Sequence, residues 1–114
     1  MPSDATTDTV LQRLAAIIAA RRLELLGTSY TRQLLDSGTE KCARKLGEEA
    51  VETIIAALGT DATALRREAA DLLYHLLVLL ESRSVPLADV LAELEARIGT
   101  SGLAEKAARP DKPQ

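Results

Sequence analysis

Tryptophan and phenylalanine are absent from this chain, and tyrosine occurs only twice, at Tyr30 and Tyr74. An interior without large rings has to be aliphatic, and a Leu- and Ala-rich composition favours helix over sheet. Cysteine occurs once, at Cys42, which excludes an internal disulfide and a Cys-rich zinc site and fits a reducing cytoplasm. Positive charge is not in excess. With 14 Lys and Arg against 17 Asp and Glu, the net charge of −3 argues against nucleic acid as the main partner, which would want a basic face. A long apolar run is missing too: Leu72 to Leu80 is interrupted by Tyr74 and His75. That run is far short of the roughly 20 residues that cross a bilayer. The polar, acidic start Met1-Pro2-Ser3-Asp4 shows no secretory pattern. The 114 residues leave room for one core. These absences predict one soluble, cytoplasmic, all-α domain over residues 1–109, with a disordered tail over 110–114.

Helical periods and breakers divide the chain further. A first helix is predicted from a cap at Thr7 or Asp8 to Leu26, stopped by Gly27, with Val10, Leu11, Leu14, Ile17, Ile18 and Leu25 as its apolar stripe. A short helical piece around Arg32 to Asp36 ends at Ser37-Gly38. A long helix over Thr39 to Leu58 is closed by Gly59, and another runs from near Asp61 to about Ser82. Beyond Ser84-Val85-Pro86, a last helix carries Leu87, Val90, Leu91, Leu94 and Ile98 on one face and ends at Gly99. The Leu72–Leu80 stretch is apolar almost all round, and such a helix must be covered on every side. A bundle of four to five helices completed by dimerisation is therefore expected, two copies sharing one bundle.

What the chain does have is acid at helical spacing: Glu48-Glu49-x-x-Glu52 and Glu68-x-x-Asp71. At about 100° per residue, Lys41, Lys45, Glu48, Glu49 and Glu52 share one arc of about 100°. Glu68, Asp71 and His75 share a second arc on the next long helix. If the two helices are antiparallel neighbours, the stripes face each other. Two carboxylates about 4 Å apart repel by roughly 1 kcal/mol in water and about 4 kcal/mol at an effective dielectric near 20. Converging carboxylates therefore call for a cation, and oxygen-only ligation suits Mg²⁺, with Mn²⁺ as the alternative. Glu49, Glu52, Glu68 and Asp71 are the candidate ligands, with Glu48 behind them or on a second ion. The competing explanation is a solvated charged face in which Lys45 pairs with the glutamates. Gly47, inside a helix, suggests close packing or ligand approach, unless it is simply tolerated at the surface.

These residues, with their flanks, resemble a known signature. The two acidic pairs are similar to those of the MazG-like all-α nucleoside triphosphate pyrophosphatases. Ser29-Tyr30-Thr31, Lys41, Lys45-Leu46-Gly47-Glu48-Glu49-Ala50-Val51-Glu52, Glu68-Ala69-Ala70-Asp71-Leu72-Leu73-Tyr74-His75 and Gly99-Thr100-Ser101-Gly102-Leu103-Ala104-Glu105-Lys106 narrow the resemblance to the phosphoribosyl-ATP pyrophosphohydrolase family. The resemblance implies Mg²⁺-dependent hydrolysis of 1-(5-phosphoribosyl)-ATP to 1-(5-phosphoribosyl)-AMP and pyrophosphate, the second step of histidine biosynthesis. In that expectation Glu48, Glu49 and Glu52 are catalytic, Glu48 as the base. Lys41 and Lys45 hold phosphate oxygens unless they merely partner the glutamates. Ser29, Tyr30 and Thr31 offer hydroxyls to phosphate or ribose, against ordinary capping and packing. His75 orients Asp71 or touches substrate, unless it is a core residue, and Tyr74 is core or interface. Lys106 and Arg109 close over phosphates, or serve solubility alone. The alternatives are a MazG-like house-cleaning hydrolase of other nucleotides and a non-catalytic helical dimerisation module.

Overall fold

The computed structural model describes residues 9–24 and 29–98. Among these residues five helices follow one another: α1 (Val10–Arg21), α2 (Tyr30–Ser37), α3 (Thr39–Leu58), α4 (Ala62–Ser82) and α5 (Leu87–Ile98). Among the described residues there is no strand, so the all-α expectation holds.

Local chemistry sets most of the ends. Thr9 caps α1 in a capping box: its hydroxyl accepts from the Gln12 amide at 3.1 Å, and the Gln12 side chain accepts from the Thr9 amide at 2.7 Å. The cap is thus Thr9; Thr7 and Asp8 lie outside the described residues. The helix also stops at Arg21 rather than Leu26. Arg22, Leu23 and Glu24 close a tight turn through amide bonds three residues back, to Ala19, Ala20 and Arg21. The Arg22 guanidinium meanwhile leaves for α4, where it meets the Glu81 carboxylate at 3.0 Å. Leu23 is 83% exposed, so an extended helix would have nothing there to pack on. Gly27 and Gly99 lie outside the described residues.

Ser29 caps α2, and its hydroxyl accepts from the Arg32 amide at 3.0 Å. Gly38, at φ 96°, makes the joint from α2 into α3, a backbone angle that side chains resist. Asp61 caps α4, accepting from the Thr63 and Ala64 amides at 2.9 and 3.3 Å.

The end of α4 is a Schellman turn. The Val85 amide donates to the Leu80 carbonyl and the Ser84 amide to the Glu81 carbonyl, both at 2.9 Å. Ser84 occupies the position that glycine usually takes, at φ 57°. A left-handed non-glycine residue costs about 1–2 kcal/mol. Ser84→Gly is accordingly expected to stabilise the fold by about 1 kcal/mol, and thermal unfolding will show a rise of a few degrees. An unchanged or lower Tm would contradict the backbone argument.

Helices α3 and α4 form an antiparallel hairpin. Thr39 meets Ser82, hydroxyl to hydroxyl at 3.0 Å, near one end, while the Thr53 hydroxyl reaches the Glu68 carbonyl at 3.1 Å toward the other. Helices α1 and α2 cross α4, and Ile18, Leu34, Cys42, Leu77 and Val78 close a small buried core. Cys42 donates from Sγ to the Leu34 carbonyl at 3.3 Å, and burial pushes its thiol pKa up, so it is a filler of the core and no thiolate. The apolar α4 is largely covered by these neighbours. The uncovered apolar surface lies mainly on α3, where Val51, Ile54, Ile55 and Leu58 are 54%, 60%, 63% and 82% exposed. A Cβ added at Gly47 would meet nothing within 4 Å, so no contact within the chain requires glycine there.

Candidate functional site

The antiparallel hairpin turns the two acidic stripes toward each other. Oxygens of Glu49 from α3 and of Glu68 and Asp71 from α4 all lie within 4.8 Å of one another. Glu49 and Glu68 are half-buried, and each has an Oε1 shielded from solvent with no hydrogen-bond partner among the described residues. Two shielded, orphaned carboxylate oxygens in one cluster are costly unless something positive sits beside them. The Glu68 carboxyl is held above its ordinary pKa, first by burial and then by the Glu52 side chain and the charges of Glu52, Asp71 and Glu49. Glu52 therefore belongs to the same cluster, at its exposed edge.

Thr53 was not evident from the sequence as a site residue. Its hydroxyl lies 2.8 Å from the Glu49 carbonyl and 3.1 Å from the Glu68 carbonyl, and so ties the two acidic turns together. Its place four residues after Glu49 was the available signal.

The remaining candidates divide. Glu48 is exposed and accepts from Lys45 Nζ at 3.2 Å. Glu48 and the nearby Tyr30 both raise the Lys45 pKa. Lys41 is exposed on the same helix. Of the three hydroxyls, that of Ser29 accepts its cap bond, and that of buried Thr31 is paired with the Tyr74 hydroxyl. Tyr30 is 52% exposed. His75 is buried, with Nδ1 unpartnered among the described residues. Burial lowers its pKa against the pull of Glu49, Asp71 and Glu48, which favours the neutral imidazole. Lys106 and Arg109 lie outside the described residues.

A groove of about 480 Å³ between α1, the end of α4 and the start of α5 lies away from this chemistry. It is mostly apolar, and its one carboxylate, Glu81, is engaged by Arg22.

The arrangement is a cluster of carboxylate oxygens that could hold a cation, with the Lys45–Glu48 pair on the same helix as Glu49. The family model of phosphoribosyl-ATP pyrophosphohydrolase matches residues 11–98, the whole of this hairpin included. The chain belongs to that family. As a member it is an enzyme, a hydrolase of phosphoanhydrides. A phosphoribosyl-ATP pyrophosphatase of Cereibacter sphaeroides is 59% identical over 101 residues, covering 89% of this chain and 98% of the relative. One of Rhizorhabdus wittichii is 60% identical over 100 residues, with 88% and 94% covered. One of Agrobacterium fabrum is 55% identical over 100 residues, again with 88% and 94% covered. No described helix is long and apolar enough to cross a membrane.

Proposed function

We propose that this chain, with residues 1–109 as its one domain, hydrolyses the α–β phosphoanhydride of 1-(5-phosphoribosyl)-ATP in the cytoplasm. The products are 1-(5-phosphoribosyl)-AMP and pyrophosphate, the second step of histidine biosynthesis. The observation that carries this reading is the convergence of Glu49, Glu68 and Asp71 with two orphaned, shielded oxygens. The donor set is all oxygen, which fits Mg²⁺ and also Mn²⁺. Glu49, Glu52, Glu68 and Asp71 would hold the ion, which when bound neutralises phosphate charge and stabilises the departing pyrophosphate.

The chain's own groups do the rest. Glu48 takes the proton of the attacking water, as the water oxygen bonds to phosphorus and the anhydride bond to the leaving phosphate breaks. Lys45, already drawn to Glu48 at 3.2 Å, holds that carboxylate in place and offers the other N–H groups of its ammonium to a phosphate oxygen. Lys41, on the same arc, is a second phosphate contact. His75, neutral and buried, orients Asp71 one helical turn away. In the homodimer of this reading, a second copy covers the exposed stripe of α3.

The test is pyrophosphate release from phosphoribosyl-ATP beside dCTP, dUTP and ATP, with Mg²⁺ and with EDTA. Phosphoribosyl-ATP is expected to be the preferred substrate, and EDTA to abolish its turnover. A clear preference for a simple nucleotide would instead point to a house-cleaning hydrolase.

A further inference from the structure

The two tyrosines near the carboxylates take no part in the chemistry above. The only two tyrosines of the chain and its only histidine meet in one cluster. Tyr30, the first residue of α2, stacks on Tyr74 of α4 with ring centroids 6.5 Å apart and planes 20° from parallel. His75 meets both rings edge-on, at 6.2 Å from Tyr30 and 4.9 Å from Tyr74. Tyr74 is fixed from below by the bond between its hydroxyl and that of buried Thr31. The stack is therefore braced on its inner side and open on its outer side, where Tyr30 stays 52% exposed. A large ring left exposed on a rigid support, in a chain with almost no aromatics, is a surface for another flat group.

Its position identifies the group. His75 follows Asp71 by one turn of α4, about 6 Å along the axis. It also lies within electrostatic reach of Glu49, Glu48 and Lys45. A nucleotide whose phosphates are held at the carboxylates carries its base one ribose away, next to these rings.

We infer that the open face of Tyr30, backed by Tyr74 and His75, is the seat of the substrate's purine and selects a base alkylated at N1. This rests on the function proposed above. Alkylation at N1 makes the N1–C6–amino unit an amidinium, so the base carries positive charge near neutral pH, whereas the adenine of ATP is neutral. The electron-rich face of a phenol attracts such a cation beyond ordinary stacking. The seat thus helps an acidic protein to tell phosphoribosyl-ATP from ATP, although both carry the same triphosphate. In this role Tyr30 acts through its ring and not its hydroxyl.

Two measurements test this. In steady-state kinetics with Mg²⁺, Tyr30→Leu is expected to raise KM for phosphoribosyl-ATP about tenfold or more with kcat within about threefold, and to shrink the preference over ATP. Tyr30→Phe is expected to stay within about threefold of the parent. In NMR spectra of the unmodified protein, whose two tyrosines give few ring signals, phosphoribosyl-AMP carries the same base and is not turned over. It should shift the Tyr30 ring protons upfield more than AMP does at equal saturation. Tyr30→Phe as impaired as Tyr30→Leu would assign the contact to the hydroxyl and overturn the seat. So would a Tyr30→Leu protein indistinguishable from the parent, or Tyr30 signals unmoved by phosphoribosyl-AMP. A parent protein inactive on phosphoribosyl-ATP, yet with Tyr30 signals that respond to phosphoribosyl-AMP, would sink the proposed function and leave the seat standing.

Discussion

Glu49→Gln and Asp71→Asn are expected to reduce Mg²⁺-dependent pyrophosphate release by a factor on the order of 10³ or more, while the metal-free protein unfolds at an equal or higher temperature. The two effects have opposite signs for one reason. Without a cation, Glu49, Glu68 and Asp71 bring oxygens within 4.8 Å of one another, and the Glu68 carboxyl is already held above its ordinary pKa by burial and by its acidic neighbours. Removing one charge relieves that repulsion, so the apo fold gains. With a cation, the same charges are what hold it, and a metal ion supplies several kcal/mol of transition-state stabilisation, worth about tenfold in rate per 1.4 kcal/mol. The amide variants keep the shape of the side chains, so loss of turnover cannot be assigned to lost packing. The parent should also gain thermal stability on addition of Mg²⁺, by mass action on the folded state alone, and Asp71→Asn should lose most of that gain. Calorimetry with and without the ion, beside the release assay, checks both halves. Variants that keep full turnover, or that unfold well below the parent in EDTA, would show the carboxylates to be an ordinary structural network.

The acidic pairs could be read from the sequence because helical spacing fixes them locally: Glu49 and Glu52 are three apart, as are Glu68 and Asp71, and Gly59 and Asp61 mark the turn that folds one stripe onto the other. The same punctuation gave α3 its ends at Thr39 and Leu58 and α4 its last residue, Ser82. The end of α1 was not legible. Leu25 and Leu26 continue an apolar run, whereas the helix stops at Arg21 where Arg22 turns toward Glu81, 59 residues further along the chain. The ring cluster was hidden for a similar reason. Tyr30 and Tyr74 meet only because α2 crosses α4, a contact that no local period encodes. Composition places the uncovered apolar surface on α4, the more extreme of the two helices. Crossing by α1 and α2 covers α4, and the exposed stripe is that of the more polar α3.

That stripe carries the second large effect. Val51→Glu is expected to convert the protein from a dimer to a 12.2 kDa monomer in sedimentation velocity and to lower its thermal stability. Val51, Ile54, Ile55 and Leu58 are all more than half exposed, and on a helical wheel they fall within an arc of about 100°, Gly47 among them. Fully burying an aliphatic side chain of this size contributes about 1.5–3 kcal/mol, so a partner surface covering the four has ample driving force. The open space at Gly47 lets a second helix approach the backbone closely on that side. On the same wheel Glu48 and Glu52 lie on one side of the stripe and Glu49 opposite it, so a second copy seated there would pass the exposed edge of the acidic site. A carboxylate at position 51 would lose the apolar contribution and face desolvation as well, weakening association by about a hundredfold or more. The parent's Tm should rise with protein concentration, as it does when folding and pairing are linked, and that dependence should vanish in the variant. A parent that sediments as a monomer at micromolar concentration, with a concentration-independent Tm, would leave the α3 stripe to solvent and the acidic site complete within one chain.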